Sequence, residues 1–128
     1  MMRLSEVQRL LLCDVFWGED LLDRAIKYGC ASDLMSDVLA FSRAGALLLT
    51  GLVNVQTIQT AFIAEIGAIV FVRGKEPDDN VIALAQQKKI PLLGTPYSMY
   101  EACGILYQHG VVSTMECHQS RFAQKGTK

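Results

Sequence analysis

Three short stretches hold most of the residues that could do chemistry in this chain: Thr50-Gly51 leading into Asn54, Arg73-Gly74-Lys75, and Thr95-Pro96-Tyr97-Ser98. Together they supply hydroxyls, two cations, an aromatic ring and backbone N–H groups at the starts of helices. Helix N-termini favour anions, an arginine fork can clamp phosphate through two bonds, and Tyr97 could stack on a base. If each stretch follows a parallel strand, all three lie beyond strand carboxyl ends, where open sheets bind their ligands. The expected ligand-binding set is Thr50, Gly51, Asn54, Arg73, Gly74, Lys75, Thr95, Tyr97 and Ser98, with Arg73 as the main phosphate contact. The same residues would also make ordinary turns and caps with two solvated cations.

Nothing in the chain completes a catalytic device. There is no GxxxxGK[ST] loop, no dinucleotide-binding glycine spacing after Thr50, no GxSxG and no HExxH. His109 falls in the last turn of an expected helix, where a partial positive charge meets the negative end of the helix dipole. Cys117 and His118 are adjacent, but two ligands without a second pair at metal-site spacing do not make a metal site. Asp33 and Asp37 stand one helical turn apart and could hold Mg²⁺ or share a proton. A helix cap followed by a solvated acid in the first turn is the simpler reading. No catalytic residue, metal ligand or cofactor is therefore assigned.

The elements that must position these stretches are written in the hydrophobic pattern. Leu4 to Leu12 has helical spacing through Val7, Leu10 and Leu11, and Cys13 to Trp17 favours a short strand that Gly18 ends. Local propensity alone makes Glu19 to Tyr28 helical. Ser32 or Asp33 is read as the cap of a helix with Leu34, Val38 and Phe41 inward, ending near Gly45. Ala46 to Thr50 and Ala68 to Val72 are continuous apolar runs, the mark of strands buried on both faces. Between them Asn54 caps a helix with Val55, Ile58, Phe62 and Ile66 on its apolar side. Asp78 caps the next helix, with Val81, Leu84 and Ala85 inward. Ile90 to Gly94 is a third strand, and Pro91 suggests that it begins there or lies near an edge. Ser98 and Glu101 form a capping box for a last helix that ends at Gly110. Such alternation demands right-handed crossovers and a mostly parallel sheet, hence a small three-layer α/β sandwich.

The chain's 128 residues suit one domain, read as 1–112 followed by a polar tail at 113–128 that is expected to be mobile. A net charge of −1 argues against nucleic acid or an anionic membrane as the main partner. No apolar stretch reaches the roughly 18 residues of a membrane helix, and Leu10 to Cys13 is too short for a signal-peptide core. The expected setting is the cytoplasm. There Cys13, Cys30, Cys103 and Cys117, with no CxxC spacing, would be free and mostly buried. Apolar residues make up 51% of the chain, which suggests surface left to cover after folding and hence a homodimer. Trp17, Phe16 and the apolar side of the first helix are the candidates for that surface.

Several segments together resemble DRTGG domains: Asp33-Leu34-Met35-Ser36-Asp37-Val38, Leu49-Thr50-Gly51, Asn54-Val55-Gln56, Arg73-Gly74-Lys75-Glu76-Pro77-Asp78, and Ile90 through Met99. The likeness runs from about Leu4 to Val112. Such domains are similar to the N-terminal, non-catalytic domain of HPr kinase/phosphorylase, and they occur beside catalytic or CBS modules in certain pyrophosphatases and phosphotransacetylases. The resemblance implies that fold, a strand around Ala25 to Cys30 in place of the local helix, self-association and a regulatory role. The residues that name the family are altered: its Asp-Arg pair falls on Leu52 and Val53, and its Thr-Gly-Gly on Arg73, Gly74 and Lys75. Two functions follow as expectations. One is a homodimeric regulatory module that binds a protein partner and a nucleotide or phosphorylated metabolite. The alternative is a small enzyme acting on a phosphorylated or acidic metabolite at the same strand ends.

Overall fold

The computed structural model describes residues 1–114 of the chain. Its elements are β1 (Met2–Arg3), α1 (Leu4–Leu10), β2 (Asp14–Trp17), a 3₁₀ turn (Glu19–Leu21), β3 (Ala25–Ile26), β4 (Tyr28–Ala31), α2 (Met35–Phe41), β5 (Leu47–Thr50), α3 (Val55–Ile63), β6 (Ala68–Phe71), α4 (Asp79–Lys88), β7 (Leu92–Gly94), α5 (Met99–Gln108) and β8 (Val112–Ser113). The main sheet has six strands in the order β2-β7-β6-β5-β4-β8. All its neighbours are parallel except β2, which lies antiparallel on β7. A small antiparallel pair, β1 and β3, stands beside it.

Every residue of β5, β6 and β7 is buried. Because side chains alternate along a strand, each strand feeds two cores. Leu47, Leu49, Ala68, Val70 and Leu93 pack with Leu4 and Val7 of α1 and with Ala102 and Leu106 of α5. Leu48, Ile69, Phe71 and Leu92 pack with Val38 of α2, Ile58 and Ala61 of α3, and Val81 and Ala85 of α4. The result is a three-layer α/β sandwich about a mostly parallel sheet, as the alternation of the sequence implies. Among the described residues no helix is long and apolar enough to cross a membrane.

Three local readings change. Glu19 to Tyr28 is not a helix: β3 pairs with β1 and β4 with β5, and these tertiary pairings override local propensity. The strand that the family resemblance implies is present as β3 and β4, broken at Lys27. The α2 helix starts at Met35 with Leu34 as an N-cap that makes no side-chain bond; Met35 and Val38 point inward, while Leu34 and Phe41 are 58% and 49% exposed. On α3 the core is met by Thr57, Ile58, Thr60 and Ala61, so the buried face is turned from the one read in the sequence, and Val55 and Phe62 are exposed. Pro91 marks the start of its strand, as expected: it is buried and immediately precedes β7, which lies between β6 and the edge strand β2, and its carbonyl accepts from Ile69 N at 3.0 Å.

The chain after Val112 also begins differently. Ser113 pairs with Gly29, and Thr114 is buried, its N–H donating to Gly29 O at 3.2 Å. Residues 115–128, with Cys117 and His118, lie outside the described residues. The first-helix face and Phe16 do not make the exposed surface expected of them. Leu4, Val7 and Leu11 are fully buried, and the Phe16 ring lies across Gly94.

That last contact generates a test. A Cβ on Gly94 would sit 2.6 Å from Phe16 Cε2, so β7 must offer bare backbone for the ring to cross it. Gly94→Ala is expected to lower stability by about 1–3 kcal/mol, as overpacking does. Urea denaturation checks it, and Phe16→Leu in the same chain should recover part of the loss. An unchanged midpoint in the single variant would show that the ring moves aside freely.

Candidate functional site

Because β5, β6 and β7 are parallel neighbours, the pairings Thr50 with Phe71 and Phe71 with Gly94 set their carboxyl ends level. Hydrogen bonds then lock the three outgoing turns together. Arg73 N donates to Tyr97 O at 2.8 Å and Gly74 N to Thr95 O at 2.9 Å, docking the β6 turn on the β7 turn. Lys75 Nζ donates to Gly51 O at 2.9 Å, tying it to the β5 turn. The β6 turn is tight: Lys75 N donates to Val72 O at 3.3 Å, with Arg73 at φ +60° and Gly74 at φ +68°. Two consecutive positive φ values are the type I′ pattern. A non-glycine residue in that region costs about 1–2 kcal/mol, which the two bonds to the β7 turn offset.

A fourth stretch joins them. Asp33 follows β4, and its Oδ1 accepts from Gly51 N at 2.7 Å and from Thr50 Oγ1 at 3.0 Å. Gly51 leaves room above its backbone for two charged side chains. A Cβ would lie 2.8 Å from Arg73 Nη2 and 3.5 Å from each Asp33 carboxylate oxygen. The guanidinium and the carboxylate thus lie over one glycine at the end of β5.

The nine expected site residues divide by what their polar atoms already do. Thr50 and Thr95 are buried, and their hydroxyls are engaged. Thr50 Oγ1 donates to Asp33 and accepts from Leu52 N. Thr95 Oγ1 donates to Leu11 O at 2.6 Å and accepts from Tyr97 N at 3.2 Å. Asn54 caps α3, its Oδ1 accepting from Thr57 N, and Ser98 caps α5, its Oγ accepting from Glu101 N. The Tyr97 ring packs against the core beneath α1 and α5 rather than standing free as a stacking platform. These residues build the edge. Arg73, Lys75 and Asp33 are exposed upon it. A cleft of about 190 Å³ opens on the Lys75 side of this edge, lined by Asp14, Phe16, Lys75, Glu76, Gly94 and Thr95 among others, and neither Arg73 nor Asp33 lines it.

Nucleophile chemistry has little support nearby. Cys13, Cys30 and Cys103 are free, and burial pushes all three thiols up, Cys13 to about 12 with help from Asp14. His109 Nδ1 donates to Ile105 O at 2.8 Å at the end of α5, the structural role expected of it. Asp33 precedes α2 instead of starting it, so it does not share a helical face with Asp37.

Comparison with known proteins bears on the family and the fold. The DRTGG domain family model matches residues 6–109. The chain belongs to the DRTGG domain family. Among curated proteins none matches. Of solved structures, this DRTGG domain is similar to the CBS and DRTGG domains of the regulatory region of Clostridium perfringens pyrophosphatase, complexed with its activator diadenosine tetraphosphate. The TM-score is 0.69 at 15% identity over 92% of this chain, which spans about half (51%) of that one.

Sequence reasoning missed Asp33 as a site residue and took it for a cap. The missing signal was β4: once Tyr28–Ala31 is a strand beside β5, Asp33 lies at the same sheet edge as Gly51.

Thr95 yields a stability test. Thr95→Val removes a buried donor to Leu11 O and an acceptor for Tyr97 N, and is expected to cost about 1–3 kcal/mol. Thr95→Ser keeps both bonds and should stay within about 1 kcal/mol of the parent. Chemical denaturation of the two variants checks it; equal losses would mean that the methyl group, not the hydroxyl, holds the turn.

Proposed function

We propose that this DRTGG domain is a non-catalytic regulatory module that binds a nucleotide or a phosphorylated metabolite at the carboxyl edge of β5, β6 and β7. The observation that carries it is the placement of Arg73. A left-handed turn bonded to the β7 turn fixes its backbone, and its guanidinium lies over Gly51, whose carbonyl accepts from Lys75 Nζ. Strained backbone at a non-glycine residue is the kind of feature that concentrates at ligand clamps, and a planar fork beside an ammonium group suits phosphate. The C. perfringens regulatory region, complexed with a dinucleotide activator, supports a nucleotide as the ligand class. The residues at the edge fix one another, and none has the nucleophile–base pairing that turnover requires. A cytoplasmic setting fits the free thiols.

Calorimetry with a nucleotide panel tests this on the wild type and on Arg73→Ala. Loss of one charge-assisted contact is expected to weaken binding by about ten- to a hundredfold, with no product formed over hours in either protein. A ligand that binds equally well without Arg73 would move the site elsewhere, and turnover would favour the enzyme alternative.

We further read the module as a homodimer that also engages a protein partner. Its supporting surface is the outer side of α2 and α3, where Leu39, Phe41, Phe62 and Ile63 are at least half exposed or nearly so (50%, 49%, 50% and 70%). Isolated apolar residues on a surface are common, but several on two adjacent helices suit an interface. Light scattering is expected to give twice the chain mass at micromolar concentration, and a monomer throughout would count decisively against self-association.

A further inference from the structure

The Asp33 carboxylate gives the edge a requirement that the two cations alone would not impose. Both of its donors meet Oδ1, from Gly51 N and Thr50 Oγ1, and among the described residues Oδ2 accepts no hydrogen bond. The carboxylate is thereby fixed in orientation, with an open acceptor beside Arg73 over Gly51. An ionised carboxylate accepts and does not donate. A phosphate group at neutral pH is likewise anionic and mostly an acceptor, so Asp33 repels it at the distance where Arg73 attracts it. Only a ligand whose phosphate meets the arginine while a neighbouring O–H or N–H meets Oδ2 satisfies both groups.

We propose that Asp33 is the specificity-determining residue of this site, favouring phosphate ligands that also present a hydroxyl or amino donor, as nucleoside phosphates do, over fully ionised phosphates that present none. This rests on the anion-binding reading of Arg73 and deepens it. Two donor sources fit the same chemistry, the sugar hydroxyls and the exocyclic amine of the base.

The experiment is calorimetry, at a pH alkaline enough to ionise tripolyphosphate fully, with ADP, its dideoxy analogue, IDP and inorganic tripolyphosphate on the wild type, Asp33→Asn, Thr50→Val and Arg73→Ala. Wild type is expected to bind ADP at least about tenfold tighter than tripolyphosphate, the worth of one charge-assisted bond. The analogue that loses this advantage, dideoxy-ADP or IDP, identifies the donor that Asp33 meets. Asp33→Asn keeps an oxygen for Gly51 N and replaces the open acceptor by an amide, so tripolyphosphate should gain about tenfold while ADP does not, closing the gap. Thr50→Val leaves the charge but frees one anchor of the carboxylate, and it supports the proposal by narrowing the ADP advantage while tripolyphosphate stays weak. Equal affinity of wild type for ADP and tripolyphosphate overturns it, as does a common shift of both ligands in Asp33→Asn. If ADP binding is lost in Arg73→Ala but its preference survives in Asp33→Asn, the assignment of Asp33 alone fails. If no ligand binds any of the four proteins, the anion site fails and this proposal with it.

Discussion

A parallel ladder with no polar face governs this molecule. Every residue of β5, β6 and β7 is buried, so helices must cover both sides of the sheet. Each parallel pairing also needs a crossover that carries the chain back to the starting edge. Leu48, Ile69 and Phe71 therefore require α2, α3 and α4, while Leu47, Leu49 and Val70 require α1 and α5. The same constraint delivers three strand ends to one side. Thr50, Phe71 and Gly94 stand level in register, and whatever follows each of them must meet there. The site is a consequence of covering the core.

How much of this is legible in the sequence depends on whether a residue's partners are local. Strands β5 and β6 show as unbroken apolar runs, and Asn54, Asp78 and Ser98 cap their helices as their types imply, because a cap bonds only three residues away. The segment from Glu19 to Ala31 has no such local signature. Its strands exist because β3 finds β1 and β4 finds β5, and only the family resemblance indicated a strand there. Helix faces failed for a related reason. Periodicity places Leu34, Phe41, Val55 and Phe62 inward, but α2 and α3 lie against each other as well as the sheet, and Met35, Val38, Ile58 and Ala61 take the buried positions.

The site was half legible on the same terms. Three of its four stretches follow strands that the sequence shows, so Arg73, Gly74, Lys75 and Thr95 could be grouped in advance. Asp33 could not, since its partner Gly51 is eighteen positions away and the strand before it shows only through the family resemblance. Nor do residue types disclose that the Thr50 and Thr95 hydroxyls are already engaged, or that the Tyr97 ring is part of the core. In a sheet edge of this kind, buried hydroxyls hold the loops and exposed charges remain for a ligand. Polar atoms must be assigned to one duty or the other before either can be named.

That division bears on why the edge suits regulation better than chemistry. Catalysis needs a group free to move a proton or attack, and among the described residues the cysteine and histidine candidates are pinned. Cys13 is held neutral by burial, and His109 bonds its own helix. What remains is a rigid frame with Arg73, Lys75 and Asp33 above it. The frame draws on the start of α2 through Asp33, on the β6 turn through Arg73, and on the start of α5 through Tyr97 O. A ligand spanning Arg73 and Asp33 would therefore bridge segments from both helical layers, and its binding energy would stabilise their relative placement by mass action. The exposed apolar residues of α2 lie one helix away from Asp33. Under the proposed reading, occupancy at the edge is thus felt by the surface best suited to meet another chain, without any bond being made or broken.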